Sequence, residues 1–240
     1  MTDTVLIMAA GRGTRMKNLA KDIPKPLLPV LGRPFLDYTI DRLHEAGFKN
    51  LIILIGHNGH AFSSYEHVSG IKLVEQHRFH ERYGTAAAVE NIKDLVGHQS
   101  FAVVAGDNLY SINDLQKVTI DSDRIRVGGY RTPAWQGLGI LQQNDDGSLR
   151  QIIEKPSEFV GDLINASMYH FTPAIFTAIE KLQPSPRGEY EITDAINMIA
   201  AKELVEVVEL EDRWLDLTSP ADIGKIEQAL PDIDRPGLDA

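Results

Sequence analysis

The chain has 240 residues, 43% of them hydrophobic and 24% charged, with a formal net charge of −10 at pH 7. That supplies one substantial core and one α/β domain as the simplest count, while the acidic balance argues against broad nucleic-acid binding. Zero cysteines exclude disulfides, thiolate metal sites and cysteine nucleophiles, and no apolar run approaches the ~18–20 residues that cross a bilayer. The acidic start Thr2-Asp3-Thr4 lacks the basic region of a secretory leader, so a cytoplasmic protein is expected.

Val5–Ala10 reads as a buried strand running directly into Gly11-Arg12-Gly13-Thr14-Arg15, with Lys25-Pro26 after a short spacer. Small residues let the backbone approach a ligand, and successive N–H groups in such a turn form an anion-binding concavity. Arg15 supplies a planar fork for phosphate and Lys25 a mobile point charge. The dinucleotide pattern G-x-G-x-x-G fails because residue 16 is Met16, and the P-loop pattern fails at the same place. The stretch by itself is a polyphosphate loop of another kind or an ordinary surface turn.

Phe35, Leu36, Ile40 and Leu43 recur at helical spacing, with Gly47 as a stop. Leu51–Ile55, Lys72–Glu75 and Phe101–Ala105 read as strands, and a second helix is expected from Thr85 through Ala88, Ile92 and Leu95 to Gly97. This alternation predicts βαβ crossovers and a parallel sheet, whose carboxyl edge collects the loops at 11–15 and 106–108. Further on, Ile125–Tyr130, Gly139–Leu141, Leu149–Glu154 and Ala166–Phe171 read as strands, with Asn144-Asp145-Asp146-Gly147 as a hairpin turn. A helix is expected at Thr193–Ala201, capped by Thr193 or Asp194, and another after Ser219 with Pro220 at its first position. Residues from Pro231 onward read as a frayed tail. The expected organisation is one domain over 1–230, with a nucleotide part at about 1–120, an acceptor part at about 121–230 and a tail at 231–240.

Ala9 to Met16 (A-A-G-R-G-T-R-M) with Lys25-Pro26-Leu27-Leu28-Pro29 resembles the signature of the sugar-1-phosphate nucleotidylyltransferases. Gly84-Thr85-Ala86, Gly106-Asp107-Asn108, Glu154-Lys155-Pro156, Arg187 to Asp194 (R-G-E-Y-E-I-T-D) and Trp214-Leu215-Asp216 continue the likeness in order. The resemblance implies a Rossmann-like α/β fold, a mixed and mostly parallel sheet flanked by helices, of the nucleotide-diphospho-sugar transferase type. It implies transfer of a nucleoside monophosphate from a triphosphate to a phosphorylated small-molecule acceptor, with release of pyrophosphate. No segment resembles the C-terminal hexapeptide β-helix of longer relatives, so a stand-alone catalytic form is expected. The resemblance also leaves room for a homo-oligomer.

A sugar phosphate is already an anion near neutral pH, so the reaction needs alignment and charge neutralisation more than a general base. A magnesium ion suits one or two aspartates plus substrate oxygens. By resemblance the catalytic set is Arg15, Lys25, Asp107 and Lys155, and the metal pair is Asp107 with Asp216. Nucleotide contacts fall on Ala9, Ala10, Gly11, Gly13, Thr14, Gln76, Gly84 and Thr85. Acceptor contacts fall on Gly137, Glu154, Asn165 and Glu189. Two departures stand out: Ser167 where the family has the glycine of N-A-G, and Thr218 where it has the glycine of W-x-D-x-G-T-P. Trp135 and Tyr169 either stack on the acceptor or fill core, and the histidines around 57–80 read as surface or packing residues. Glucose 1-phosphate with dTTP or UTP is the first expectation. A phosphocholine cytidylyltransferase, using Trp135, Tyr169 and Tyr190 as a cage, and a catalytically silent nucleotide-sugar-binding homologue are the alternatives.

Overall fold

The computed structural model describes residues 2–11, 23–56, 58–76, 82–119 and 122–234. In chain order the first half contributes β1 (Thr4–Met8), a small hairpin of β2 (Pro29–Val30) and β3 (Arg33–Pro34), α1 (Phe35–Ala46), β4 (Asn50–Ile55) and β5 (Ile71–Glu75). It continues with α2 (Thr85–Glu90), α3 (Lys93–Val96), β6 (Phe101–Ala105), β7 (Asn108–Leu109) and α4 (Ile112–Thr119). The second half contributes β8 (Arg126–Arg131), β9 (Gly139–Gln143), β10 (Leu149–Glu154), β11 (Leu163–Phe171), α5 (Ala174–Ile179), α6 (Ile192–Ala200), β12 (Glu206–Glu209), β13 (Leu215–Asp216) and α7 (Pro220–Ala229).

The apolar runs of the first half form the parallel heart of a mixed sheet in the order β10-β9-β11-β6-β1-β4-β5, with β8 and β12 branching from β11. β1 lies between β4 and β6, with Ile7 opposite Ile53 and Val104. β11 runs antiparallel to β6, so both halves of the chain share one sheet. Alternate side chains divide between its two faces. Leu6, Leu54, Phe101 and Val103 pack with Val89 of α2, Ile179 of α5 and Ile196 of α6. Val5, Ile7, Ile53 and Val104 pack with Leu36 and Leu43 of α1 and Leu115 of α4. Each fully buried aliphatic side chain contributes roughly 1.5–3 kcal/mol. A one-residue slip of β1 would exchange the two sets, so burial on both faces fixes its register.

The structure departs from the local sequence pattern at several places. The helix expected from Thr85 to Gly97 breaks into α2 and α3, because Ile92 adopts φ −104°, ψ 5° and the Asn91 amide turns back to the Ala87 carbonyl at 2.6 Å. Helix α6 begins at Ile192 with Glu191 at its cap position, and neither Thr193 nor Asp194 caps it. Its first N–H donates instead to Thr85 Oγ1 at 2.9 Å. The end of the described chain is packed, not frayed: Ile233 is 2% exposed, and Asp234 accepts a hydrogen bond from Arg42 Nη2 at 2.6 Å. Residues 235–240 lie outside the described residues. The Gly47 stop, with φ 107°, and the Gly147 turn, with φ 82°, adopt the left-handed geometry their sequence positions predict. At the start of α7 the Ser219 N–H donates to Asp222 Oδ2 at 2.7 Å.

Candidate active site

The sheet delivers its chemistry at the carboxyl ends of β1 and β6. There Gly106 N–H donates to Met8 O at 3.0 Å. A Cβ on residue 106 would stand 2.9 Å from that same oxygen, so only glycine lets the strands stay this close. Asp107 follows at once. β7 then pairs antiparallel with β13, setting Asp216 opposite Asn108, and Leu217 N–H donates to Asp107 O at 2.8 Å. Two aspartates 109 positions apart in the chain are thereby held on neighbouring backbone segments.

Both carboxylates have protein donors. Lys25 Nζ lies 2.5 Å from Asp107 Oδ2, with the lysine side chain 10% exposed and the aspartate 33%. Thr218 Oγ1 donates to Asp216 Oδ2. A cleft of about 310 Å³ encloses this pair. Ala10, Gly11, Gln76, Tyr83, Gly84 and Thr85 also line it, as do Gly137, Gly139, Glu154, Lys155, Asn165, Ser167 and Glu189.

Most of the expected site residues therefore meet in one cavity. Ala9 does not line it: the residue is 3% exposed and packs into the core beside Val5 and Ile7. Gly13, Thr14 and Arg15 lie outside the described residues. The hydroxyl of Thr85 accepts a hydrogen bond from Ile192 N–H at 2.9 Å. The Gln76 side chain points the other way energetically: the residue is 9% exposed, and its Nε2 is buried without a hydrogen-bond partner among the described residues. An orphaned amide donor of that kind is costly unless a ligand completes it. Tyr83, Leu138 and Gly139 were missed, because none belongs to a pattern that announces itself in sequence.

Glu154, Lys155 and Glu189 line the cleft, and Arg187 gathers the carboxylates there. Arg187 Nη2 lies 2.6 Å from Glu191, 3.4 Å from Glu154 and 3.7 Å from Glu189. Burial pushes the Glu154 carboxyl up from its ordinary value, with Lys155 pulling it down and Glu191 pushing it further up. Lys155 sits in the left-handed region at φ 46°, a strained conformation of the kind that gathers at functional sites. Its Nζ is 3.7 Å from Glu154. Asn165 donates to Tyr169 OH at 2.8 Å and accepts from Ser167 N–H at 3.1 Å. Tyr169 is core, 1% exposed and stacked on Phe171 at 5.1 Å. Trp135 packs edge-on against Phe159 at 5.9 Å, and Tyr190 lies under Arg82 at 4.3 Å. None of these three rings lines the cleft, so they form no cage within it.

The family model described as "Nucleotidyl transferase" matches residues 4–232. The chain belongs to that family. It is an enzyme of the sugar-1-phosphate nucleotidylyltransferase class. It is 30% identical to the UTP–glucose-1-phosphate uridylyltransferase AglF of Haloferax volcanii over 94% of this chain and 95% of that one. It is 32% identical to the low-salt glycan biosynthesis nucleotidyltransferase Agl11 of the same organism, over 93% of this chain and 64% of that one. Among solved structures, a UDP-glucose pyrophosphorylase complexed with UDP-glucose superposes with a TM-score of 0.85 at 21% identity, covering 96% of this chain and 99% of that one. A putative glucose-1-phosphate thymidylyltransferase from Bacillus anthracis superposes with a TM-score of 0.81 at 23% identity, covering 100% and 98%. These likenesses establish the nucleotide-diphospho-sugar transferase fold. No helix among the described residues is long and apolar enough to cross a membrane.

Set against the nucleotidylyltransferase pattern, the two departures have visible consequences. Ser167 holds φ 55°, a conformation glycine adopts freely and serine does not. Thr218 adds a hydroxyl that bonds Asp216 directly.

Proposed function

We propose that this enzyme transfers a nucleoside monophosphate from dTTP or UTP to a sugar 1-phosphate, glucose 1-phosphate first, with magnesium as the required ion. The observation that carries the reading is the strand pairing that brings Asp107 and Asp216 together in one cleft. Around this pair the same cleft places the buried Gln76 amide and a set of carboxylates and amides suited to sugar hydroxyls. The activity and ligands named for the similar proteins, UTP and glucose 1-phosphate in AglF and UDP-glucose in the solved pyrophosphorylase, support the same choice.

Two carboxylates fit magnesium, which takes one or two protein carboxylates and completes its octahedron with water and substrate oxygens. Asp107 and Asp216 would hold the ion, which would supply positive charge against the phosphates. An acceptor phosphate oxygen attacks the α-phosphorus, the bond to the bridging oxygen breaks, and pyrophosphate leaves with the electron pair. No proton has to move at the attacking oxygen. Gly11, which lines the cleft, receives the triphosphate. Lys25, held at Asp107, supplies positive charge near the α-phosphorus, and Lys155 supplies it for the acceptor phosphate. Gln76 reads the pyrimidine edge, since its amide both donates and accepts. Cytoplasmic localisation accords with substrates of this kind.

The test is pyrophosphate release across a matrix of nucleoside triphosphates and phosphorylated acceptors, with and without magnesium. The expected result is a signal for dTTP or UTP with glucose 1-phosphate, abolished in Asp107→Asn. Activity only with phosphocholine, or nucleotide binding without turnover on any acceptor, would refute it.

A further inference from the structure

The acceptor end of the cleft is built on an irregular piece of backbone. β11 changes register against β8 between Asn165 and Tyr169, and within that interval Ser167 takes φ 55°. A non-glycine residue in the left-handed region persists only where its surroundings over-determine it. One constraint is local: Asn165 Oδ1 accepts the Ser167 N–H at 3.1 Å. The other comes from across the molecule. Tyr110, which directly follows β7, donates its hydroxyl to Ala166 O at 2.8 Å and approaches Ser167 O at 3.1 Å.

We propose that the Tyr110 hydroxyl is a positioning group that sets the acceptor end of the cleft against the carboxylate pair at its centre. The proposal rests on the transferase reading above and extends it to a residue that touches no substrate. Tyr110 suits the task in three respects. It is 2% exposed and belongs to the buried cluster that also holds Leu36, Val104 and Met168, so the hydroxyl has little freedom to wander. Its own carbonyl accepts Arg42 Nε at 2.7 Å, anchoring the backbone from α1. Burial pushes the phenol well above its ordinary value, so the hydroxyl remains a donor throughout the neutral range. The strand it extends carries Asn108, opposite Asp216, while the bulge it grips carries Asn165 and Ser167. A single side chain thus links the carboxylate pair to the acceptor end, and the spacing of the two fixes how an acceptor phosphate meets an α-phosphorus. In-line transfer is sensitive to errors of about 1 Å in that spacing.

Tyr110→Phe removes one oxygen and keeps the ring. The expected result is a rise of roughly tenfold in the KM for the sugar 1-phosphate, the effect of one buried hydrogen bond. The dissociation constant for the nucleotide, measured without acceptor, stays at its wild-type value. Adding Ser167→Gly to this variant brings the acceptor KM back toward wild type, because glycine holds the bulge conformation unaided. Two results overturn the proposal: an unchanged acceptor KM in Tyr110→Phe, or equal losses in acceptor and nucleotide affinity together with a lowered melting temperature. A wild-type enzyme that turns over no sugar 1-phosphate overturns the transferase reading and the proposal together. An active wild type with an indifferent Tyr110→Phe overturns the proposal alone.

Discussion

Gly84→Ala gives the sharpest test of how the Gly84–Thr85 side of the cleft is held. Gly84 has φ 129° and ψ 174°, a region essentially closed to other residues, costing about 1–3 kcal/mol when one is forced into it. An added Cβ would lie 2.4 Å from Tyr190 O and 2.6 Å from Tyr190 N. Neither atom can retreat cheaply. Tyr190 N–H donates to Tyr83 O at 2.8 Å, and Tyr190 O accepts from Ala86 N–H at 2.9 Å. Losing one or both bonds adds about 0.5–1.5 kcal/mol each, for a total of about 1.5–6 kcal/mol. In a chain of 240 residues each kcal/mol shifts the melting temperature by about 2–4 °C. The expected fall is therefore at least about 3 °C, read by calorimetry, with weakened nucleotide binding because Gly84 and Thr85 line the cleft. An alanine variant with wild-type melting and nucleotide affinity would show that the Tyr83–Tyr190 junction yields freely, and the reasoning would fail.

Further expectations concern Asp216, Glu154 and the chain terminus. Thr218→Gly removes the hydroxyl that bonds Asp216 Oδ2. Magnesium titrations should then half-saturate at a concentration about 2–10-fold lower, the scale of one hydrogen bond; an unchanged or higher value counts against Asp216 as a metal ligand. Glu154 has a folded pKa raised above its unfolded value by burial, so its ionisation penalises the folded state. That penalty is absent at pH values below the ordinary glutamate range and grows as pH rises through the folded pKa. Urea unfolding of Glu154→Gln against wild type should accordingly show the variant gaining relative stability from acid toward neutral pH, and the opposite trend would refute the assignment. Ile233→Ala should cost about 2–4 kcal/mol, since Ile233 is 2% exposed beside Leu28 and Phe35. A change at the exposed Leu204, 44% accessible, should cost nothing measurable by the same melt.

Patterns that act within a few residues were legible in the sequence. The apolar runs of β1, β4 and β6, the helical spacing of α1 with its Gly47 stop, and the hairpin glycine at 147 all follow from local sterics and burial periodicity. Glycine-rich and charged motifs pointed to residues that the structure gathers in one cleft, such as Gly84, Asp107 and Lys155. Elements lacking a local signature escaped. β7 and β13 are two residues each and mean nothing apart, and Thr85 gives no hint in its own neighbourhood that it caps α6.

The sequence by itself determined the fold class, the family and the chemical inventory: two aspartates, several cations, and amides for hydroxyls. Only the tertiary structure decided which of these meet. It joined Asp107 to Asp216 through a strand pair, withdrew Ala9 and Tyr169 into the core, and buried the Gln76 amide without a partner among the described residues. The division is physical. Strand and helix identity are set by interactions over a few residues, whereas convergence at a site is set by pairings that span 100 residues or more of chain, as Asn108 with Asp216 and Thr85 with Ile192 do. Such pairings exist only once the two faces of the sheet have been buried.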